Sequence, residues 1–584
     1  MPSRRQVALI SLALAGLALP ATAQIQSSGL GDLNAWGASY LERGEAPLQD
    51  GLWTGSDPEY LLALMERIDV SVLSPAERAL LSRALRSPAT APEGDLADAL
   101  QQERLRLLVA LGERSAAARL GEQMEERPEG TDPDIIRSDA RLARGELEVV
   151  CAQKQTTGEG LFWAELRALC ALSNQEPADF QIEIASEQEG ADPWFANTAF
   201  AVLAEQEDRP AARYGSGLEL ALSDLGNLEP DEESLSAERP GLAAQIARDE
   251  NRRLALRMAA ADLAARAGEL SGETHRNLYD TLISAEEFEP SNAVEAAFVV
   301  LAKAPEPEAA PAAMTASRPE GPVDLRSMSE DWIEPVRPDD LSEDALEPEG
   351  VDEVSLAEEQ ALAVAQALRE AASGPADFAA RARLFEAALD SIPARADTAT
   401  QARLFAAAAL SARNVSLADK WLNALEPETL DDKARFEMAL LEGYASILGG
   451  ERREADAGDI AGVLVERAIE PAQQAAALRL FALWSGFDMP VPVNARMALA
   501  QADMAAGSIG PGLLAAIDAA GRNGAGAEAL LTILTQTDGD VAALSGQELA
   551  TVLRTLRELK ADEDAKALAF EAGQLWTLAA DNEG

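Results

Sequence analysis

The most specific chemistry available to this chain belongs to its two cysteines, Cys151 and Cys170, with none left over. In an oxidising compartment such a pair is a disulfide candidate. Closing a loop of this size contributes on the order of 3 kcal/mol in the chain-entropy picture. Leu142, Leu147 and Val150 predict a helix that Cys151 closes, and Phe162, Trp163 and Leu166 place Cys170 on the next. A tight hairpin of two such helices would offset the cysteines by roughly 13 Å at ~1.5 Å per residue. A bridge needs Cα atoms within ~7 Å, so Gln153–Gly160 would have to run back along the first helix. The pair therefore reads as a structural bridge or as two separate buried thiols. No C-x-x-C occurs, which argues against redox catalysis.

Other catalytic groups are sparse. His275 is the single histidine, which excludes multi-histidine metal sites and leaves one imidazole that reads as a surface bystander. There is no G-x-x-x-x-G-K-[ST] loop, no G-x-S-x-G elbow, and no lysine three residues after a serine. Asp132-Pro133-Asp134 and Asp538-Gly539-Asp540 are fragments of oxygen-ligand loops without the full calcium spacing, and read as caps and turns. The analysis of the residues thus predicts no catalytic, cofactor-binding or metal site. Carboxylates are abundant, so the competing expectation is a glycan- or peptidoglycan-active hydrolase using two of them ~5–9.5 Å apart.

The elements that would position these groups are helices. Asp57-Pro58 supplies an N-cap and an N1 proline, and Ser74-Pro75-Ala76-Glu77 is a capping box with proline at N1. The stripe Leu105, Leu108 and Leu111 stops at Gly112. Phe378, Ala382, Phe385 and Leu389 lie on one helical face before Pro393; Phe405 and Ala409 mark another helix. Ser416 is expected to cap a third, with Leu417, Trp421 and Leu425, and Phe436, Leu440 and Tyr444 mark a fourth. No sustained period-two alternation occurs, so the fold class is all-α.

Charge and composition set the address. The chain has 584 residues, 49 basic and 100 acidic, for a net charge of −51, and phosphate backbones should repel it. Arg4 and Arg5, the apolar run Val7–Leu19 and Ala21-Thr22-Ala23 form the pattern of a cleavable signal peptide, residues 1–23, cut after Ala23. No later stretch is long enough to span a bilayer, so a periplasmic location without membrane insertion is expected. Eight of the 30 prolines fall between Pro305 and Pro348 among acidic residues, a composition unable to offset its ordering entropy. Residues 303–353 are therefore expected to be a disordered acidic linker between helical-repeat domains at 24–302 and 354–584. Within it, Trp332 and Ile333 stand out as a candidate anchor, docking on the chain's own helices or on a partner.

Leu384-Phe385-Glu386-Ala387-Ala388-Leu389 followed by Pro393 resembles the second helix of a tetratricopeptide repeat. Leu111-Gly112 with Ala116 and Leu120 resembles the turn between the two repeat helices. The first-helix W-x-x-L-G-x-x-Y is absent, so the chain is similar to degenerate, TPR-like periplasmic solenoids. The superhelical part of soluble lytic transglycosylases is broadly similar, but no E-S…G-L-M-Q type motif follows, and their activity is not implied. The resemblance implies an α-solenoid of short antiparallel hairpins offering a concave surface to another protein or peptide. The expected function is a non-enzymatic scaffold in the cell envelope.

Overall fold

The computed structural model describes residues 35–49, 51–303 and 355–580, apart from 125, 129, 154–157, 231–233, 236–238, 286–287, 450–455 and 503–506. The expected signal peptide, residues 1–23, and the candidate anchor residues Trp332 and Ile333 lie outside the described residues. All regular structure among the described residues is helical, mostly short helices packed in pairs, in two halves flanking residues 304–354.

The helix starts follow the chemistry of their caps. Asp57 accepts from the Tyr60 N–H ahead of Pro58–Arg67, and Ser74 and Glu77 form the reciprocal capping box of Pro75–Arg86. The helix Pro375–Ser391 buries Phe378, Ala382, Phe385 and Leu389, and Asp432–Gly449 buries Phe436, Leu440 and Tyr444. One cap differs from the sequence reading. Asn414, not Ser416, accepts from the Leu417 N–H, and Ser416 lies inside the helix Val415–Leu422. Asn414 follows a left-handed residue and so has the extended backbone a cap requires.

A single turn geometry recurs between paired helices. Glu113 N–H donates to Leu108 O at 2.9 Å, with Gly112 at φ +82° between them and the helix end. Glu269 to Ala264 (2.8 Å) around Gly268 and Asn414 to Ala409 (2.8 Å) around Arg413 repeat it. The same six-to-one bond closes helices at Gly145, Gln175, Glu205, Asn227, Asp488, Gly524 and Lys560. This is the Schellman termination, in which a left-handed residue lets two orphan carbonyls find donors. Several of these positions carry a side chain, which is why glycine spacing alone does not reveal the period.

Residues 35–49 and 51–57 are not helical but carry buried Trp36, Tyr40, Leu48, Leu52 and Trp53. They are held by Arg104, fully buried, whose guanidinium donates to Leu85 O (2.6 Å) and Ser87 O (3.0 Å) and lies over the Trp36 and Tyr40 rings. Burial pulls its pKa down to about 10.

The buried core crosses the divide. One continuous set of apolar side chains joins Trp36–Ile136 with Tyr279–Phe298 and Ala361–Ala579; a second spans Leu142–Leu278, with Ala380 beside it. The two halves meet along two seams. At the first, Ala293–Leu301 packs on Leu356–Glu370 and Gly272–Ile283 on Pro375–Ser391. Tyr279 stacks on Phe298 (centroids 4.7 Å apart), which meets Phe385 at 5.5 Å. A Cβ on Gly272 would stand 2.2 Å from Arg383 O, so only glycine permits this approach. At the second, residues 48–86 meet 524–571. Ala527 N–H donates to Leu52 O at 2.7 Å, and Glu571 accepts from Ser74 Oγ (2.5 Å) and the Ala76 N–H (2.8 Å).

Candidate functional site

Between the seams lies a cavity of about 820 Å³. Its walls are the helices Pro75–Arg86, Pro375–Ser391 and Asp562–Ala572, and three of the recurrent turns, at Leu111–Glu113, Ala267–Ser271 and Ser411–Arg413. Each wall follows from helical spacing. On Pro75–Arg86 the buried Leu80, Leu81, Ala84 and Leu85 face the core, which leaves Arg78, Ser82, Arg83 and Arg86 toward the cavity. From the far end of the chain Asp564, Ala567, Phe570 and Glu571 do the same.

Most of the charge here is paired. Arg83 is bridged to Asp564. Arg86 grips both oxygens of Glu45 (2.7 and 2.9 Å) and reaches Glu113 at 3.3 Å, while Ser82 Oγ donates to Glu113. Arg383 donates to Ala265 O at 2.9 Å. Glu571 sits at the N-terminus of Pro75–Arg86, where free N–H groups favour a carboxylate. Burial nevertheless dominates: it pushes Glu571 up to about 7, helped by neighbouring Glu77, and Asp564 up to about 6 despite Arg83. Burial also raises Glu77, itself fully enclosed.

Arg78 is different. It is 8% exposed, and its Nη1 donates to Val70 O at 3.0 Å, but Nε and Nη2 have no partner. Buried polar groups are nearly always satisfied, so two free donors on one guanidinium call for an explanation.

Cys151 and Cys170 are bridged, with Cα atoms 5.5 Å apart. The helix read through to Cys151 is in fact broken at Gly145 into Pro133–Ala143 and Leu147–Ala152. The 5.5 Å separation shows that Leu147–Ala152 and Leu161–Ser173 do not form the tight hairpin for which the offset was calculated. The bridge lies on the Leu142–Leu278 core, away from the cavity lining. His275 is not a surface residue: it is 3% exposed, with Nε2 3.0 Å from Asp262 and its ring 5.4 Å from Tyr279. It lines no part of the cavity.

The cavity residues went unnoticed in the sequence because their pattern, one polar face on an amphipathic helix, is that of a solvent-facing surface. The partner of Ser74 stands 497 positions away, beyond any local signal. No helix among the described residues is long and apolar enough to cross a membrane, and the disulfide is compatible with an oxidising compartment such as the periplasm. No family of known proteins, no curated protein and no solved structure matches this chain.

Proposed function

We propose that this chain is an exported, non-enzymatic scaffold of TPR-like helical hairpins that holds an extended segment of another cell-envelope protein in the central cavity. The observation that carries this reading is the cavity itself: about 820 Å³, walled by three helices and three turns from distant parts of the chain, with an unpartnered buried arginine. Helical hairpins commonly present such inner surfaces to peptides. The repeat reading is supported by the turn spacing: Gly112, Gly145, Gln175 and Glu205 stand 30–33 residues apart, and Asp488, Gly524 and Lys560 36 apart. A tetratricopeptide unit has about 34. The signal pattern and the disulfide together support a periplasmic setting.

The test is photo-crosslinking in intact cells from Ala379 or Ser411, which line the cavity, with Ile469, 74% exposed and outside it, as control. A discrete protein captured from the two cavity positions and not from Ile469 is expected. Capture of nothing specific from either cavity position contradicts the reading.

The hydrolase reading draws on one observation, the raised carboxyls of Asp564 and Glu571 beside Phe570 and Trp576 in the cavity wall. Both carboxyls are already committed, one to Arg83 and one to Ser74 and Ala76, which favours a structural role. Turnover of isolated peptidoglycan by the purified chain, lost in Glu571→Gln, would reverse that preference.

A further inference from the structure

We infer that the hairpin of Asp179–Ser186 and Pro193–Leu203 is a docking surface, separate from the cavity, that takes a basic amphipathic helix of another protein. Its apolar part is Phe180, 63% exposed, with Phe200 and Leu203, each 40% exposed. The hairpin does not need them for its own packing. Ile182, Ala185, Trp194, Phe195 and Ala199 are already buried, and Leu161–Ser173 packs on both helices. Of the chain's 13 phenylalanines, Phe180 and Phe200 are the two that stand exposed. They fall on this one hairpin at matching levels, each ten positions from the turn residue Gly190. Leu203 is one helical turn beyond Phe200. Single exposed apolar side chains are ordinary, but large ones gathered on one hairpin mark an interaction surface. None of these residues lines the cavity.

Charge decides the occupant. Between Arg167 and Arg209 the chain has nine acidic residues and no basic one, and all nine are exposed. Asp192 pairs with Arg213; the other eight form no ion pair among the described residues. Asp179, Glu183 and Glu187 share the helix of Phe180, and Glu205, Glu207 and Asp208 follow Leu203. The apolar side chains are thus rimmed by uncompensated negative charge. A partner rich in lysine or arginine complements that rim, while exposed aromatic rings serve as the apolar anchors. The same rim repels a second copy of this chain, at net charge −51, and an anionic lipid surface. Helical geometry fits the spacing, since packed helix axes lie ~8–10 Å apart and positions i and i+7 of a helix are separated by ~10 Å. A helix laid across the pair rests apolar residues seven positions apart on Phe180 and Phe200, with its basic residues over the acids.

The test is calorimetric titration of the full chain with three peptides. The first is a leucine–lysine helix with leucines at i, i+3, i+4 and i+7, the second a scrambled sequence of the same composition, and the third the first with glutamate for lysine. The wild-type chain is compared with Phe180→Ser/Phe200→Ser; both positions are exposed, and unchanged thermal unfolding verifies that the variant keeps its fold. The leucine–lysine helix is expected to bind the wild-type chain, more weakly as salt rises, and to slow hydrogen exchange within 179–203. Its affinity should fall about tenfold or more in the phenylalanine variant. The scrambled and acidic peptides should bind the wild-type chain at least about tenfold more weakly. Equal binding of the scrambled peptide, or unchanged affinity in the phenylalanine variant, reduces the contact to diffuse attraction and overturns the inference. Failure of the leucine–lysine helix to bind overturns it as well. Dimerisation of the wild-type chain with rising concentration, abolished in the phenylalanine variant, would assign this face to a second copy and equally overturn it. None of these failures touches the scaffold reading, which rests on the cavity and on capture from Ala379 or Ser411.

Discussion

Where residues 272–301 meet 356–391, the contact is a run of rings, Tyr279 on Phe298 on Phe385, in an apolar setting. Where residues 48–86 meet 524–571, shared apolar core is joined by bonds from backbone groups, hydroxyls and carboxyls, with Glu571 capping a helix that begins 496 positions earlier. The first seam joins segments on either side of a single interruption, and beside its rings it carries the Arg266–Asp377 and Lys303–Glu359 ion pairs and the bond from Arg383 to Ala265 O. The second joins the two ends of the chain, and its parts recognise each other by donor and acceptor. Ring packing is indifferent to protons, whereas buried carboxyls such as Glu571 and Asp564 are not. The cavity lies between them, so its walls inherit both behaviours.

The largest effect should come from the ring seam. Phe298→Ala removes a side chain 2% exposed and both of its ring contacts, and should cost about 3–5 kcal/mol by denaturant unfolding. That loss should be the same at pH 5 and pH 8. A pH-dependent loss would erase the distinction between the seams.

Breaking the disulfide provides a control outside both. Replacing Cys151 and Cys170 together by serine should cost on the order of 3 kcal/mol. Hydrogen exchange should then rise within 133–278, while the two seams keep their protection, because the bridge belongs to the second core.

The carboxyl seam should respond to protons with a definite sign. Glu571 and Asp564 titrate higher folded, at about 7 and about 6, than their ordinary 4.5 and 3.8. The folded chain therefore binds more protons, and their contribution is complete below about pH 4 and lost as pH rises through 6 to 7. Thermal stability should rise on acidification from pH 8 toward pH 5. Glu571→Gln keeps an acceptor for the Ala76 N–H and, without the charge, reverses the Ser74 bond so that its amide donates to Ser74 Oγ. It should stabilise the chain at pH 8 by roughly 1–3 kcal/mol and flatten the pH profile. Destabilisation at pH 8 equal to that of Glu571→Ala would show that the charge itself holds the seam.

The smallest effect belongs to the turns. Lys560 holds φ +60° at the closing position of Gly546–Glu558, a conformation that glycine adopts without penalty. Lys560→Gly should stabilise by about 0.5–1 kcal/mol, measured by the same unfolding curves.

These features differed in how far they could be read from residues alone. The capping box at Ser74–Glu77 and the apolar face from Phe378 to Leu389 are local patterns, and the helices formed where they indicate. The turns were only half legible, since Gly112 and Gly268 announce a left-handed residue while Gln175, Arg413 and Lys560 do not. The apparent obstacle to the Cys151–Cys170 bridge came from expecting a tight hairpin between the two helices that carry the cysteines. The cavity was not legible at all. Arg78 occupies a position on its helix that would face water if the far end of the chain did not cover it. His275 misled for the same reason, because Asp262 and Tyr279 become its neighbours only after packing.

The most direct measurement is hydrogen exchange on the full chain, alone and with the partner captured from Ala379 or Ser411. The account predicts slowed exchange within 75–86, 375–383 and 563–571 and at the turns 111–113 and 267–271, with the outer helices around Ile469 unchanged. Protection confined to those outer helices, with the cavity walls unaffected, would contradict it.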